Sequence, residues 1–237
     1  SDDGAGQEVY YFALVRPEET FEEYCSGTCT TGQSFKVTNP DSGSYRVGTG
    51  VGFSGERWAW TVLHELGHMH GRGHARCGTL IGLDWSYPYS NGTIGVWGFN
   101  DDDASFLDPD NTVDFMSYCD ERWVSDYHYR LIYERILDVN GLNKNASVGA
   151  AFLSLLLDAD GTASWRGKSY NPPVGEIPIL CTFYDASGVP LGESEGWGIE
   201  QSHGGATLLA LPEPPTGSHS VEIYFSPASE PRNFTLP

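Results

Sequence analysis

The chain has 237 residues, a length that suits one large domain or two modest ones, and 39% apolar with 13% aromatic content allows real hydrophobic cores. It carries 32 acidic against 13 basic side chains, a net charge of −19, which disfavours nucleic acid as a partner; nothing resembles a basic stripe with interleaved aromatics. No apolar run approaches the length of a membrane span, and the start, SDDGAGQEVYYF, reads as a processed or trimmed end.

In chain order, EVYYFALVRP (8–17) is β-branched and aromatic, stops at a proline and predicts a strand. SYRVGTGVGF (44–53) is a second extended segment. Ser54 is placed to cap a helix running through ERWAWTVLHELGHMH, with Glu56 in its first turn and Gly71 at its end. Residues 75–113 are irregular, rich in Gly, Pro, Asn and Asp, and aromatic. Ser125 opens a second helix, SDYHYRLIYERILDV, with Tyr129, Ile132, Ile136 and Leu137 on its apolar face. NGLNKN (140–145) has the composition of a linker. Beyond it, short apolar runs alternate with Asp-Gly, Ser-Gly and proline turns, which predicts an antiparallel β-sandwich. The expected organisation is thus an α+β domain over 1–143 followed by an all-β sandwich over 144–237.

The chemistry concentrates in HELGHMHGRGH (64–74). Residues four apart share a helix face, so His64 and His68 project together and can take two positions on one Zn²⁺. Glu65 flanks that pair and is placed to act as general base toward water activated by the metal. Gly71 lets the chain turn back, so His74 can add a third nitrogen and leave one position open. His70 lies off the ligand face and reads as a bystander; His128, His203 and His219 have no partner spacing and receive no role.

This stretch resembles the HExxHxxGxxH motif of the metzincin zinc metalloproteases, and DFMSYC (114–119) resembles the methionine turn of that family. The resemblance covers roughly residues 8–138, and StcE-like or pappalysin-like secreted members are the nearest branches in mind. It implies a metzincin-like α+β catalytic domain with one catalytic Zn²⁺ on His64, His68 and His74. It implies endopeptidase activity on an extended polypeptide or glycoprotein, with Glu65 as general base. Met116 is then the hydrophobic base beneath the imidazoles, and Tyr118 matches the tyrosine that steadies the transition-state oxyanion in some branches. The 44–53 segment is the candidate edge strand for pairing with substrate, and Trp123 a candidate wall of the side-chain pocket.

Cys77 and Cys119 each stand three residues beyond a motif residue, His74 and Met116, and are the preferred disulfide; Cys25 and Cys29 could close a small loop or form half of a zinc knuckle that lacks its second pair. Cys181, in an apolar run, reads as a buried thiol. Two disulfides imply a secreted or extracellular protein. The acids of 100–114 could hold Ca²⁺, although the spacing is not that of an EF-hand and a solvated acidic loop competes with that reading. Two other functions stay open: a carbohydrate- or mucin-binding adhesin with a vestigial metal core, and a zinc amidase acting on cell-wall peptides. Oligomeric state cannot be read from the sequence.

Overall fold

The fold is that of a computed structural model, which describes residues 6, 8–141, 151–169, 173, 176–203, 205–226 and 229–237. The N-terminal part begins with β1 (Tyr11–Val15), the single-turn α1 (Phe21–Tyr24), β2 (Gly32–Ser34), β3 (Val47–Val51) and the long α2 (Glu56–Met69). The strands form a three-stranded sheet in the order β1-β3-β2, with β3 parallel to β1 and antiparallel to β2. Expectation and structure part here. β3, the 44–53 segment taken for the edge, is paired on both sides, and the edge nearest the histidines is the short, glycine-started β2. Three residues of GQS carry no alternating apolar pattern by which a strand could be recognised.

The helix α2 starts one residue later than expected, with Gly55 rather than Ser54 in the cap position and no side-chain cap. Its end follows the sequence closely. Gly71 sits at φ +82°, where a side chain would be strained, and its N–H bonds the carbonyl of His68 (2.7 Å), while Arg72 N–H bonds that of Gly67 (2.9 Å). That pair of bonds is the Schellman arrangement, and it reverses the chain toward His74.

After α2 the chain forms the hairpin β4 (Gly98–Asn100) and β5 (Ser105–Leu107), the short parallel pair β6 (Val113–Asp114) and β7 (Arg122–Trp123), and α3 (Asp126–Gly141). The Ser125 hydroxyl accepts the His128 N–H (3.2 Å), as a helix cap should. The buried face of α3 differs from the expected one. His128, Arg135 and Val139 point inward, whereas Tyr129, Ile136 and Leu137 are exposed. Arg135 is held because its guanidinium donates to the Val37 (3.1 Å) and Thr38 carbonyls, tying α3 to the loop after β2. The expected linker overlaps the end of α3 at Asn140 and Gly141; its remainder, with the 143/144 boundary, lies outside the described residues.

The C-terminal part holds β8 (Phe152–Leu157), β9 (Ala163–Ser169), β10 (Ile177–Tyr184), β11 (Pro190–Glu200), β12 (Thr207–Pro212), β13 (Ser220–Tyr224) and β14 (Arg232–Thr235). All seven belong to one antiparallel sheet, in the order β14-β13-β10-β11-β12-β8-β9, rather than to two facing sheets. The sheet curls until side chains of one edge reach the other, without pairing the edge strands: Trp165 Nε1–H of β9 donates to the Thr235 carbonyl of β14 (3.0 Å), and Arg232 reaches the Gly161 carbonyl (2.9 Å). Leu155, Ile179, Phe183, Leu209, Val221 and Ile223 fill the inside, with Cys181 among them as a free, buried thiol whose pKa burial pushes up to about 12. A curled sheet and a sandwich need the same period-two alternation, so the pattern could not separate them.

A second, smaller core of Val37, Tyr45 and Ile199, flanked by Phe35 and Leu208, joins the loop after β2 to β11 and β12. That junction decides what stands in the site.

Candidate metal centre

His64, Glu65 and His68 are carried by α2 and His74 by the segment after the Gly71 turn; all four are buried. The Nε2 atoms of His68 and His74 lie 3.1 Å apart, and those of His74 and His64 3.2 Å apart. Each ring is oriented through its other nitrogen. Nδ1–H of His64 donates to the Phe115 carbonyl (3.0 Å), that of His68 to Arg72 (2.8 Å) and that of His74 to Ile81 (2.6 Å). With every Nδ1 proton committed to a carbonyl, the three Nε2 atoms present bare lone pairs to one another. They cannot hydrogen-bond among themselves, so the arrangement calls for a cation between them. Four nitrogens at about 2.0–2.1 Å from zinc stand about 3.3–3.4 Å apart in a tetrahedron, close to the spacing here. Burial, the largest cause, lowers the pKa of His64 and His74 to about 4 and that of His68 well below its ordinary value, keeping all three neutral.

The turn beneath them is built by Asp114, fully buried. Its carboxylate accepts from Met116 N–H (2.7 Å), Ser125 N–H (3.0 Å) and His128 Nδ1–H (2.8 Å). Met116 is fully buried against α2 at Gly67, where an added Cβ would lie 2.2 Å from Met116 Sδ. The glycine inside HELGH is therefore what lets the turn approach the helix. Cys77 and Cys119 form a disulfide across the two segments, and Tyr118 N–H bonds the Cys77 carbonyl (2.9 Å). Cys25 and Cys29 form the second disulfide.

His203, which the sequence left without a role, also reaches the centre. It sits at the tip of the β11–β12 hairpin, with its ring centroid 5.3, 5.4 and 5.5 Å from those of His64, His68 and His74. The four histidines form a cluster that could hold a metal ion such as zinc, with ligand atoms within 4.8 Å of one another. No spacing signal reveals it, because 129 residues separate His203 from His74 and only the folded hairpin brings them together.

His203 Nε2–H donates to Glu65 Oε1 (2.7 Å), and its Nδ1 accepts from the Tyr118 hydroxyl. Glu65 Oε2 accepts from Ser34 (2.7 Å) and Ser202 (3.0 Å). Burial pushes the Glu65 carboxyl up, but the bonds from His203 and Ser34 outweigh it and the net shift is downward, toward a carboxylate. Burial, and then the Glu65 charge, push the Tyr118 phenol up to about 12, so it remains a donor.

The other expected residues fall elsewhere. His70 stacks on Tyr10 at 4.4 Å, away from the centre. Trp123 packs against Gly98, while its neighbour Arg122 lines the cleft with Phe21, Arg57 and Thr61. The acids of 100–114 do not converge: Asp101, Asp102 and Asp103 are exposed on a turn, and Asp114 faces inward. Among the described residues, the four-histidine set is the cluster that could hold a metal, and no helix is long and apolar enough to cross a membrane. The chain matches no protein-family model, no curated protein and no solved structure, so any functional reading rests on its own residues.

Proposed function

We propose that the chain is a secreted zinc-dependent endopeptidase of metzincin type, with residues 1–143 as its catalytic domain and 144–237 as an accessory β-domain. One observation carries this reading: three neutral imidazoles aim unprotonated nitrogens at one point, with an ionised, buried carboxylate beside them on the same helix. A structural metal site needs no such base.

His64, His68 and His74 would hold the zinc. When bound there, zinc supplies Lewis-acid polarisation of a peptide carbonyl and lowers the pKa of water. Glu65 takes the proton of the attacking water on its carboxylate and returns it to the leaving amine. The Tyr118 hydroxyl, which shares the His203 imidazole with the Glu65 carboxylate, would donate to the oxyanion as it forms. Ser34 fixes Glu65 by donating to Oε2, and Met116 and Asp114 hold the ligand helix from below. A polypeptide or glycoprotein segment would lie extended along β2. The two disulfides fit an oxidising, extracellular setting.

A second reading has one observation in its favour. The four histidines have ligand atoms within 4.8 Å of one another, and with the His203 ring turned from Glu65 and Tyr118 toward the other three they would make the closed set expected of a structural metal, as in an adhesin whose metal core does no chemistry. Cleavage of a proteome-derived peptide library separates the two. The peptidase reading expects chelator-sensitive cleavage that Glu65→Ala abolishes, measured both in the wild type and in His203→Ala; full metal loading without cleavage in either background favours the closed site.

A further inference from the structure

The hairpin tip reaches the centre by a particular route. β2 uses one edge to pair with β3, and Glu200–Ser202 runs antiparallel along its other edge and its continuation. Lys36 N–H bonds the Glu200 carbonyl (3.1 Å), Ser202 N–H bonds the Ser34 carbonyl (2.7 Å), and Phe35 pairs with Gln201. This is how an extended peptide adds to a sheet edge. The strand then delivers His203 into the space between Glu65 and Tyr118, over the triangle of histidines. His203 and Tyr118 line both cavities that flank the centre, one of about 540 Å³ toward Phe21 and Arg122, the other of about 220 Å³ toward Lys36 and Ile81. The imidazole thus stands as the partition of what would otherwise be one groove.

We propose that Glu200–His203 is a built-in pseudosubstrate: it occupies the sheet edge and the reaction centre of this same chain, and the folded protein is latent until the hairpin tip is displaced. The inference rests on the peptidase reading for the word latent, but the blockade itself concerns access to the metal and can be read without catalysis. The tip is held by polar contacts rather than by apolar packing: Gln201 N–H bonds the Ala206 carbonyl (2.8 Å), Gln33 Nε2–H donates to Gln201 Oε1 (3.0 Å), Ser34 N–H bonds the Ser202 hydroxyl (2.9 Å), and the His203 side chain retains partial exposure. The anchor is Ile199, in the small core with Val37 and Tyr45, so the tip can swing while β11 stays fixed.

The test uses the zinc-loaded full chain and acetohydroxamate, a small metal chelator that needs an open position beside the ion. Binding is read by calorimetry, and zinc content by elemental analysis. His203→Ala is expected to keep one zinc per chain and to bind acetohydroxamate at least about tenfold more tightly, because the apparent affinity is reduced by the fraction of molecules in which the site is open. Ser202→Pro removes the N–H that pairs with Ser34 together with the hydroxyl that bonds Ser34 N–H and Glu65, keeps the His203 side chain in the sequence, and should tighten binding in the same direction by a smaller factor. Equal affinity in wild type and both variants, at equal zinc content and with cooperative melting retained, overturns the pseudosubstrate. Loss of zinc in His203→Ala also overturns it, since His203 would then be an obligatory ligand. If affinity rises but no peptide is cleaved by any variant, the blockade stands and the peptidase reading falls.

Discussion

Two parts of the molecule meet at the same imidazoles, and they are built on opposite principles. The α2 side is local and over-determined: three histidines within eleven residues, a glycine-terminated helix, a carbonyl for each Nδ1 proton, and a disulfide-bound turn packed underneath. The β11–β12 side is remote and held by polar contacts alone, one histidine on a hairpin tip bonded to groups that would themselves be needed for catalysis. The first arrangement gathers nitrogens that could hold a metal. On the proposed reading, the second puts a removable group where a substrate would lie.

Perturbations of each side should therefore differ in kind. The largest expected effect is catalytic: in the His203→Ala background, Glu65→Ala should lower peptide cleavage by about 10²–10⁴-fold with zinc content unchanged. Breaking the α2 side should show first in stability. Cys77→Ser with Cys119→Ser opens a loop with a sequence separation of 42 residues. On the loop-entropy relation this costs about 4 kcal/mol, a fall in Tm of about 8–16 °C by calorimetry. Gly67→Ala forces a methyl group onto Met116 Sδ and should cost about 1–3 kcal/mol, with weaker zinc retention if the turn moves.

The pH response sharpens the contrast further. His64 and His74 have folded pKa values of about 4, below the ordinary value of 6.5. Between those limits the unfolded chain binds more protons than the folded one. Stability of the metal-free protein should therefore be full above about pH 6.5 and decline as the pH falls toward about 4. Denaturant midpoints across that range check the sign. The smallest effect belongs to His70→Ala, which loses the stacking on Tyr10 and the hydrogen bond with its hydroxyl (3.2 Å) and should leave zinc content unaltered.

The same division explains what the sequence could show. His64, Glu65, His68 and Gly71 are legible because helix periodicity and a glycine C-terminus translate spacing directly into direction. Ser34, Asp114, Ser202 and His203 are not, because each acts through a contact made only after distant segments pack. Asp114 was hidden in an acidic run that reads as a solvated loop, yet it is the residue that shapes the turn carrying Met116. On α3, Tyr129, Ile136 and Leu137 promised a buried face by periodicity, but the Arg135 bonds to Val37 and Thr38 set the rotation of the helix. In the C-terminal sheet the turns and strands were readable, and its closure through Trp165 and Arg232 was not.

The central claim is that His64, His68 and His74 hold a zinc ion that works with Glu65 to cleave peptides. It is tested most directly by measuring zinc content and peptide-library cleavage together for His203→Ala and for His203→Ala with Glu65→Ala. The account predicts one zinc per chain in both proteins, chelator-sensitive cleavage by the first, and cleavage about 10²–10⁴-fold lower by the second. Equal cleavage by the two, or no cleavage by a fully zinc-loaded His203→Ala, would contradict it.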